Sequence, residues 1–121
     1  KRSYCNMKIK IAPKFVNFIT FGFAAAITLW PFGIFLLKDK YLNNAILINH
    51  EAIHWKQSQE LLGIFFYLIY GLEWFIKLFI YGKNAYYNIS FEREANYYEN
   101  NLEYTKTRKH FAWIKFIFKK C

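Results

Sequence analysis

Residues 45–60 read AILINHEAIHWKQSQE, and this stretch decides the expected fold because it places two histidines four positions apart in a helix. Asn43 or Asn44 precedes it, and either side chain can cap the helix N-terminus. On a helix, His50 and His54 share one face and lie one turn apart. We therefore expect a helix over at least residues 45–60 that presents both imidazoles to one point.

Glu51 follows the first histidine and completes the motif His50-Glu51-Ala52-Ile53-His54. Two imidazoles at this spacing can bind one zinc ion, and zinc lowers the pKa of its water ligand towards neutrality. Glu51 is placed to accept a proton from that water as the general base, so the chemistry needs the glutamate as well as the histidines. Gln57 continues the same helix face and can contact the site, a partner or solvent.

A mononuclear zinc site needs a third protein ligand. Glu92 is the first choice, because a helix over this region puts Glu92, Ala95, Asn96 and Glu99 on one face. The small Ala95 would let the helix of residues 45–60 pack closely. Asn96 can then hydrogen-bond a ligand histidine from behind. Glu94 is the second candidate and His110 the third. Acidic residues in a first helical turn are also favoured without a metal. The acidic residues and the histidine that follow the motif are Glu73, Glu92, Glu94, Glu99, Glu103 and His110.

Residues 15–37 carry no charge, and the sequence Trp-Pro-Phe-Gly at 30–33 interrupts them. Proline and glycine disfavour the continuation of a helix. A helix over about 15–26, followed by extended structure around 26–37, fits this pattern as well as a single membrane span does.

The second apolar stretch, residues 61–81, raises a question of topology. A straight helix of this length would be about 30 Å long. A single membrane crossing would leave the histidines on one side and Glu92 on the other, where one zinc ion cannot join them. We therefore predict that 61–82 forms a helical hairpin that bends at Gly71; the alternative is that Glu92 is not a ligand. Gly63 is another candidate bend, and Glu73 and Lys77 can pair on one helix face.

The composition favours contact with a membrane. The chain has a net charge of +9 and is 55% hydrophobic, and its basic residues concentrate near both ends. Basic ends that flank aromatic segments favour anionic lipid headgroups. No nucleic-acid motif accompanies the charge, so no nucleic-acid partner is expected. Cys5 and Cys121 form no CxxC pair, which argues against a cysteine zinc site.

The domain organisation follows from these segments. Residues 1–14 read as a basic N-terminal arm, and 15–121 as one membrane-associated domain. A polar helix is expected over about 90–104. A last basic and aromatic helix over about 110–120 could lie among lipid headgroups or cover the domain core.

The motif residues resemble those of a known group. A histidine motif followed by Glu92-Arg93-Glu94-Ala95-Asn96 is similar to the pattern of gluzincin metallopeptidases, especially the membrane-embedded heat-shock and CAAX-processing proteases. Most of residues 26–105 also looks like short uncharacterised HExxH proteins of Bacteroidetes. The resemblance implies a mainly α, minimal zincin-like domain in the bacterial inner membrane. It also implies Glu92 as the third zinc ligand, and Asn96 in the place of an aspartate that supports a ligand histidine.

Two functions remain open from the sequence. The first is a zinc-dependent metallopeptidase that cuts a peptide or protein at a membrane, with a substrate strand that adds to the extended piece, as is common in gluzincins. The second is an inactive structural or adaptor subunit of a larger membrane protein complex that keeps a zincin-like helix pair. A basic nucleic-acid binder is the third and weakest reading.

Overall fold

The computed structural model describes residues 9–20 and 24–118 and is mainly helical, with one small sheet. This confirms the expected mainly α class with extended structure around 26–37. Short 3-10 turns lie at Asp39–Asn43, Gly82–Asn84, Tyr86–Asn88 and Ala112–Phe116. The strands and helices are β1 (Ile9–Ile11), α1 (Pro13–Thr20), β2 (Ala26–Leu29), β3 (Gly33–Leu36), α2 (Ala45–Glu60), α3 (Ile64–Tyr81), α4 (Ser90–Tyr98) and α5 (Tyr104–Thr107).

The sheet has the strand order β1-β3-β2, with β1 parallel and β2 antiparallel to β3. The interruption at 30–33 is the turn of the β2–β3 hairpin, where the amide of Phe32 donates to the carbonyl of Leu29 at 2.7 Å. The Trp30–Pro31 peptide bond is cis. Since β3 is central, β2 is an edge strand of the described sheet.

The predicted N-terminal arm is wrong for residues 9–14, while 1–8 lie outside the described residues. Ile9 pairs with Ile34 and packs against the cluster between the sheet and α2. The amide of Ala12 donates to the carbonyl of Leu36 at 2.9 Å, and α1 begins at the next residue. In place of the helix expected over about 15–26, α1 covers Pro13–Thr20, and Ala26 already belongs to β2.

Helix α2 lies between two layers of the molecule. Asn44 caps it by accepting a hydrogen bond from the amide of Leu47 at 3.0 Å, as predicted. On one side its residues join a cluster with the sheet, and on the other Ile53 packs against Ala95 of α4 and Tyr104 of α5. Its middle turns are therefore buried all round, including the polar motif residues. The cluster on the sheet side contains Ala26, Ile34, Leu36, Ile48 and Trp55.

The predicted hairpin within 61–82 is wrong, because α3 runs through Gly71 without a break. A single glycine weakens a helix by only about 1 kcal/mol. The chain reverses at Leu62 and Gly63 instead, which both have positive φ (55° and 74°). A Cβ at Gly63 would lie 3.1 Å from the Trp30 ring, so this turn also needs the absence of a side chain.

A second reversal after α3 brings Glu92 back to α2, the helix that carries His50 and His54. The chain turns at Gly82, and α4 packs beside α3, where the amide and the hydroxyl of Ser90 donate to Glu73 at 2.7 and 2.6 Å. The predicted ion pair between Lys77 and Glu73 is present at 2.6 Å, and Lys77 also donates to the backbone carbonyl of Asn88. The chain thus returns along α3, and α4 lies beside the N-terminal half of α3, close to the end of α2.

The C-terminal region forms less helix than expected. In place of one helix over about 90–104, α4 ends at Tyr98 and α5 covers Tyr104–Thr107. In place of a helix over about 110–120, a 3-10 turn covers Ala112–Phe116, and residues 119–121 lie outside the described part of the chain. Trp113 and Phe116 are buried, so this segment covers the domain core.

Helix α3 presents most of its surface outward. Residues 64–84 are long and apolar enough to cross a membrane, by length and composition alone, and 11% of the apolar window is buried. The side of α3 that packs inward carries Phe66, Tyr70, Glu73 and Lys77. The opposite side exposes large apolar residues, among them Leu68, Leu72, Phe75, Phe79 and Ile80.

Candidate metal centre

The side chains of His50, His54 and Glu92 converge in the interior. Nε2 of His50 lies 3.1 Å from Oε1 of Glu92, and Nε2 of His54 lies 3.2 Å from Oε2. The three ligand atoms all lie within 4.8 Å of one another, and the three residues are buried. The structure therefore places together the predicted ligand set from α2 and α4.

The outer nitrogens of both imidazoles are occupied by acceptors. Nδ1 of His50 lies 2.8 Å from Oε1 of Glu99, and Nδ1 of His54 lies 2.8 Å from Oε1 of Gln57. A neutral imidazole that donates from Nδ1 presents a lone pair at Nε2. Both lone pairs then point towards the Glu92 carboxylate, which is an arrangement that requires positive charge at its centre.

Nε2 of His54 shows this requirement directly. It is a buried nitrogen without a hydrogen-bond partner among the described residues, since its contact with Glu92 lacks hydrogen-bond alignment. Buried polar atoms are normally satisfied. The donor set of two imidazoles and one carboxylate fits a divalent transition-metal cation and leaves a further coordination position open.

The pKa values of the three groups reflect the same crowding. Burial lowers the pKa of His54, but the neighbouring Glu92 carboxylate outweighs it and raises the pKa to about 9. Burial also acts to lower the pKa of His50, but the hydrogen bond to Glu92 together with the charges of Glu92 and Glu51 outweighs burial, and the pKa is raised. Burial acts to raise the pKa of Glu92, yet the two imidazoles hold it well below its usual range. Without a metal, protons supply the positive charge that the site needs.

Glu51 lies against the edge strand of the sheet. The hydroxyl of Thr28 in β2 donates to Oε1 of Glu51 at 2.6 Å, and Glu51 is 7% exposed. The contact fixes the orientation of the Glu51 carboxylate, which lies on the same helix as both histidines. No sequence pattern singles out Thr28, because its partner lies 23 positions away in another element.

Two tyrosine hydroxyls at the site were not predicted individually. The hydroxyl of Tyr70 donates to Oε2 of Glu92 at 2.6 Å. Tyr86 also feels the charge of Glu92, since burial together with that carboxylate raises the pKa of the Tyr86 hydroxyl. The chain has ten tyrosines, and their spacing does not single out these two. Both hydroxyls can orient the carboxylate or a bound molecule.

The predicted supporting role of Asn96 is wrong, because Asn96 is exposed and Glu99 takes the position behind His50. Helix α4 ends at Tyr98, and the buried amide of Asn49 donates to the carbonyls of Glu99 and Asn101 at 2.8 and 3.0 Å. This turn brings the Glu99 side chain back over α2. Gln57, by contrast, lies where the sequence allowed it to lie, against a ligand histidine.

The alternative ligands lie elsewhere. Glu94 is fully buried in an ion pair with Arg108, whose Nε lies 2.5 Å from Oε2 of Glu94. The side chain of His110 is 90% exposed and lies near Glu60. Arg93, the residue next to Glu92, donates to the carbonyl of Phe116 at 2.9 Å.

Comparison of the chain with protein-family models, curated proteins and solved structures found no match. The likeness to gluzincins therefore rests on the motif residues alone.

Proposed function

We propose that this chain is a zinc-dependent peptidase that acts at a membrane. The observation that carries the proposal is the buried convergence of His50, His54 and Glu92 within 4.8 Å. Zinc bound by these residues would polarise a scissile carbonyl and acidify a water molecule. The chain's own residues supply the base, the peptide-binding edge and the hydroxyl groups around the centre.

Glu51 is the proposed general base. Its position next to His50 on α2 keeps the carboxylate beside the centre, and the Thr28 hydroxyl holds Oε1 at 2.6 Å. That contact orients the carboxylate and leaves Oε2 to accept a proton from the attacking water. General-base catalysis of this kind requires a positioned acceptor within hydrogen-bond reach of the proton.

Strand β2 is the proposed peptide-binding edge. In an antiparallel pair of strands, hydrogen-bonded and non-hydrogen-bonded residue pairs alternate. The hydrogen bond from the amide of Leu37 to the carbonyl of Ala25 makes that pair a hydrogen-bonded one, so the backbone groups of Ala26 and Thr28 face away from β3. An extended peptide can pair with these groups by strand addition. Since the Thr28 side chain contacts Glu51, such a peptide would run directly past the base. Tyr67 lies at this edge, with its hydroxyl 3.4 Å from the carbonyl of Thr28.

The outward face of α3 supports the membrane location. Phe79 and Ile80 are 78% and 66% exposed, and other large apolar residues extend this surface along the helix. Exposed apolar patches of this size mark interaction sites, and a net charge of +9 favours an anionic lipid surface. We propose the bacterial inner membrane, in keeping with the resemblance of the motif residues.

One observation favours the second function, a structural subunit of a membrane complex. His54 and Glu51 are only 5% and 7% exposed, and Tyr70 covers one oxygen of Glu92. Structural zinc sites are closed, whereas catalytic sites keep an open position. In that case the metal would hold α2 and α4 together without any turnover.

Metal analysis and a peptide-cleavage assay on the full chain in detergent separate these functions. The peptidase proposal expects one zinc per chain and a cleavage activity that Glu51→Gln abolishes without loss of zinc. Glu103→Gln, at an exposed acidic position, is the matched control. Zinc without cleavage, together with a Glu51→Gln variant indistinguishable from wild type, would establish the structural subunit. Absence of zinc at neutral pH would refute the peptidase.

A further inference from the structure

Gln57 is a buried amide whose hydrogen bonds leave it one orientation. It is 0% exposed, and its Nε2 donates to the carbonyl of Phe91 at 3.1 Å and to Oε1 of Glu94 at 3.0 Å. An amide nitrogen has two protons, so both are used. Oε1 must therefore be the atom that faces Nδ1 of His54, at 2.8 Å.

Glu94 is held just as firmly. Arg108 donates from Nε to Oε2 of Glu94 at 2.5 Å and from a terminal nitrogen to Oε1 at 3.0 Å. Tyr104 donates to Oε2 at 2.6 Å, and Arg108 also binds Glu60 at 2.7 Å. A two-point contact between guanidinium and carboxylate fixes both position and angle. The acceptor that orients Gln57 is thus itself locked.

The two ligand histidines are consequently oriented by different means. His50 is supported by Glu99, a carboxylate with a side chain 30% exposed. His54 is supported by a neutral amide, and the charge that fixes the amide lies one residue further away, in a completely buried pair. A side chain that only filled space would not need both of its amide protons bound to acceptors. In Gln57 both are bound, and only Oε1 is left to accept the proton of His54.

We infer that Gln57, Glu94 and Arg108 form a positioning relay for His54. Gln57 accepts the Nδ1 proton and so turns Nε2 towards Glu92, Glu94 fixes which way the Gln57 amide faces, and Arg108 holds Glu94 in place. The relay also ties the metal helix to the segment after α5, because Arg108 bridges α4 and the last residue of α2. The inference rests on the proposed metal centre for its purpose, but its geometry can be measured without metal.

The first test uses histidine labelled with nitrogen-15 in the chelator-treated full chain in detergent. In one-bond proton–nitrogen spectra, the Nδ1 proton of His54 should be protected from exchange in the wild type and in the Gln59→Leu control, since Gln59 is an exposed residue of the same helix. Gln57→Leu should lose that protection. Equal protection in Gln57→Leu and in the wild type would overturn the relay.

A double variant guards against simple misfolding. Gln57→Glu with Glu94→Gln exchanges the carboxylate and the amide, keeps the net charge and keeps an acceptor opposite His54, while the donation to the carbonyl of Phe91 is lost. The protected proton should return in this variant. If it stays absent while the circular dichroism spectrum matches that of the wild type, the relay is overturned.

Zinc titration then separates this inference from the proposed function. Loss of a group behind a metal ligand typically weakens binding by about 10- to 100-fold, and we expect this in Gln57→Leu but not in Gln59→Leu. Equal affinities in the two variants would overturn the relay and leave the zinc centre standing. If the wild type binds no zinc, the proposed function fails, while the proton measurement still decides the relay.

Discussion

The hydroxyl of Thr28 lies 2.6 Å from Oε1 of Glu51 and joins the edge strand of the sheet to the metal helix. Thr28→Val removes this hydrogen bond and keeps the shape of the side chain. Because the base loses its orientation but not its charge, we expect cleavage to fall about tenfold, a barrier increase of about 1.4 kcal/mol. Zinc content should stay unchanged. Thr107→Val, at an exposed position, is the control, and an equal loss in both variants would contradict the role given to Thr28.

Removal of the third ligand should empty the centre. Glu92→Gln keeps the size of the side chain but removes the charge that faces both imidazoles. Zinc affinity should fall by at least about a hundredfold, the upper end of the loss found for groups that only support a ligand. A metal at 100 times its dissociation constant adds about 2.7 kcal/mol to stability, and the variant should lose most of this gain. Thermal melting with and without zinc measures this. A Glu92→Gln variant that gains as much stability from zinc as the wild type would exclude Glu92 as a ligand.

The raised pKa of His54 predicts opposite pH effects in the two metal states. In the zinc-free protein the folded pKa is about 9, above the ordinary value of 6.5. Its contribution to stability is therefore fully present below about pH 6.5 and is lost as the pH rises to 9. Zinc binding requires neutral imidazoles, so zinc-dependent stabilisation should grow over the same range.

Chemical denaturation at pH 6.5, 7.5 and 9 measures both trends. The zinc-free protein should become less stable at each step, and the difference between the zinc-loaded and zinc-free proteins should widen. Parallel curves for the two forms would show that protons and zinc do not compete for His54.

Two glycines in neighbouring elements should respond oppositely to alanine. Gly63→Ala places a Cβ 3.1 Å from the Trp30 ring at a φ of +74°, so it should destabilise the fold by about 1–3 kcal/mol. Gly71→Ala meets no atom within 4 Å in the middle of α3, so it should stabilise by about 0.5–1 kcal/mol. Denaturant midpoints measure both changes. A destabilising Gly71→Ala would revive the bend that the continuous helix excludes.

The outward face of α3 should carry the binding to lipid. Leu72→Lys with Phe79→Lys places charge on exposed positions, so the folded core should be unaffected while flotation with anionic vesicles is lost. Leu42→Lys with Ile46→Lys makes the same charge change at exposed positions before and within α2 and is the control. If both pairs float alike, α3 is not the lipid-binding surface.

The metal helix could be predicted because its information is local. The cap at Asn44, the spacing of His50 and His54 and the position of Glu51 all lie within one short stretch. Glu92 could be proposed because a glutamate beside a small residue suits helix packing. Each of these features is set by the helical period and not by the path of the chain.

The rest of the site depends on chain path, which spacing does not reveal. The sequence predicts one reversal between the ligands, at Gly71, whereas the chain makes two, one on each side of α3. Glu99 replaces Asn96 because α4 ends early, at a turn held by the distant Asn49. Tyr70 reaches Glu92 only because α4 packs back along α3.

The return of the chain along α3 also has a mechanical consequence. A cation shared by His54 and Glu92, which are 38 positions apart (92 − 54), would act as a crosslink that closes a loop containing the whole of α3. In the chain-entropy picture, a covalent link across a loop of this length stabilises a fold by about 4 kcal/mol. The metal would then set how far α3 can separate from the rest of the protein, so chelation should first release α3 as a flexible loop and only later unfold the sheet.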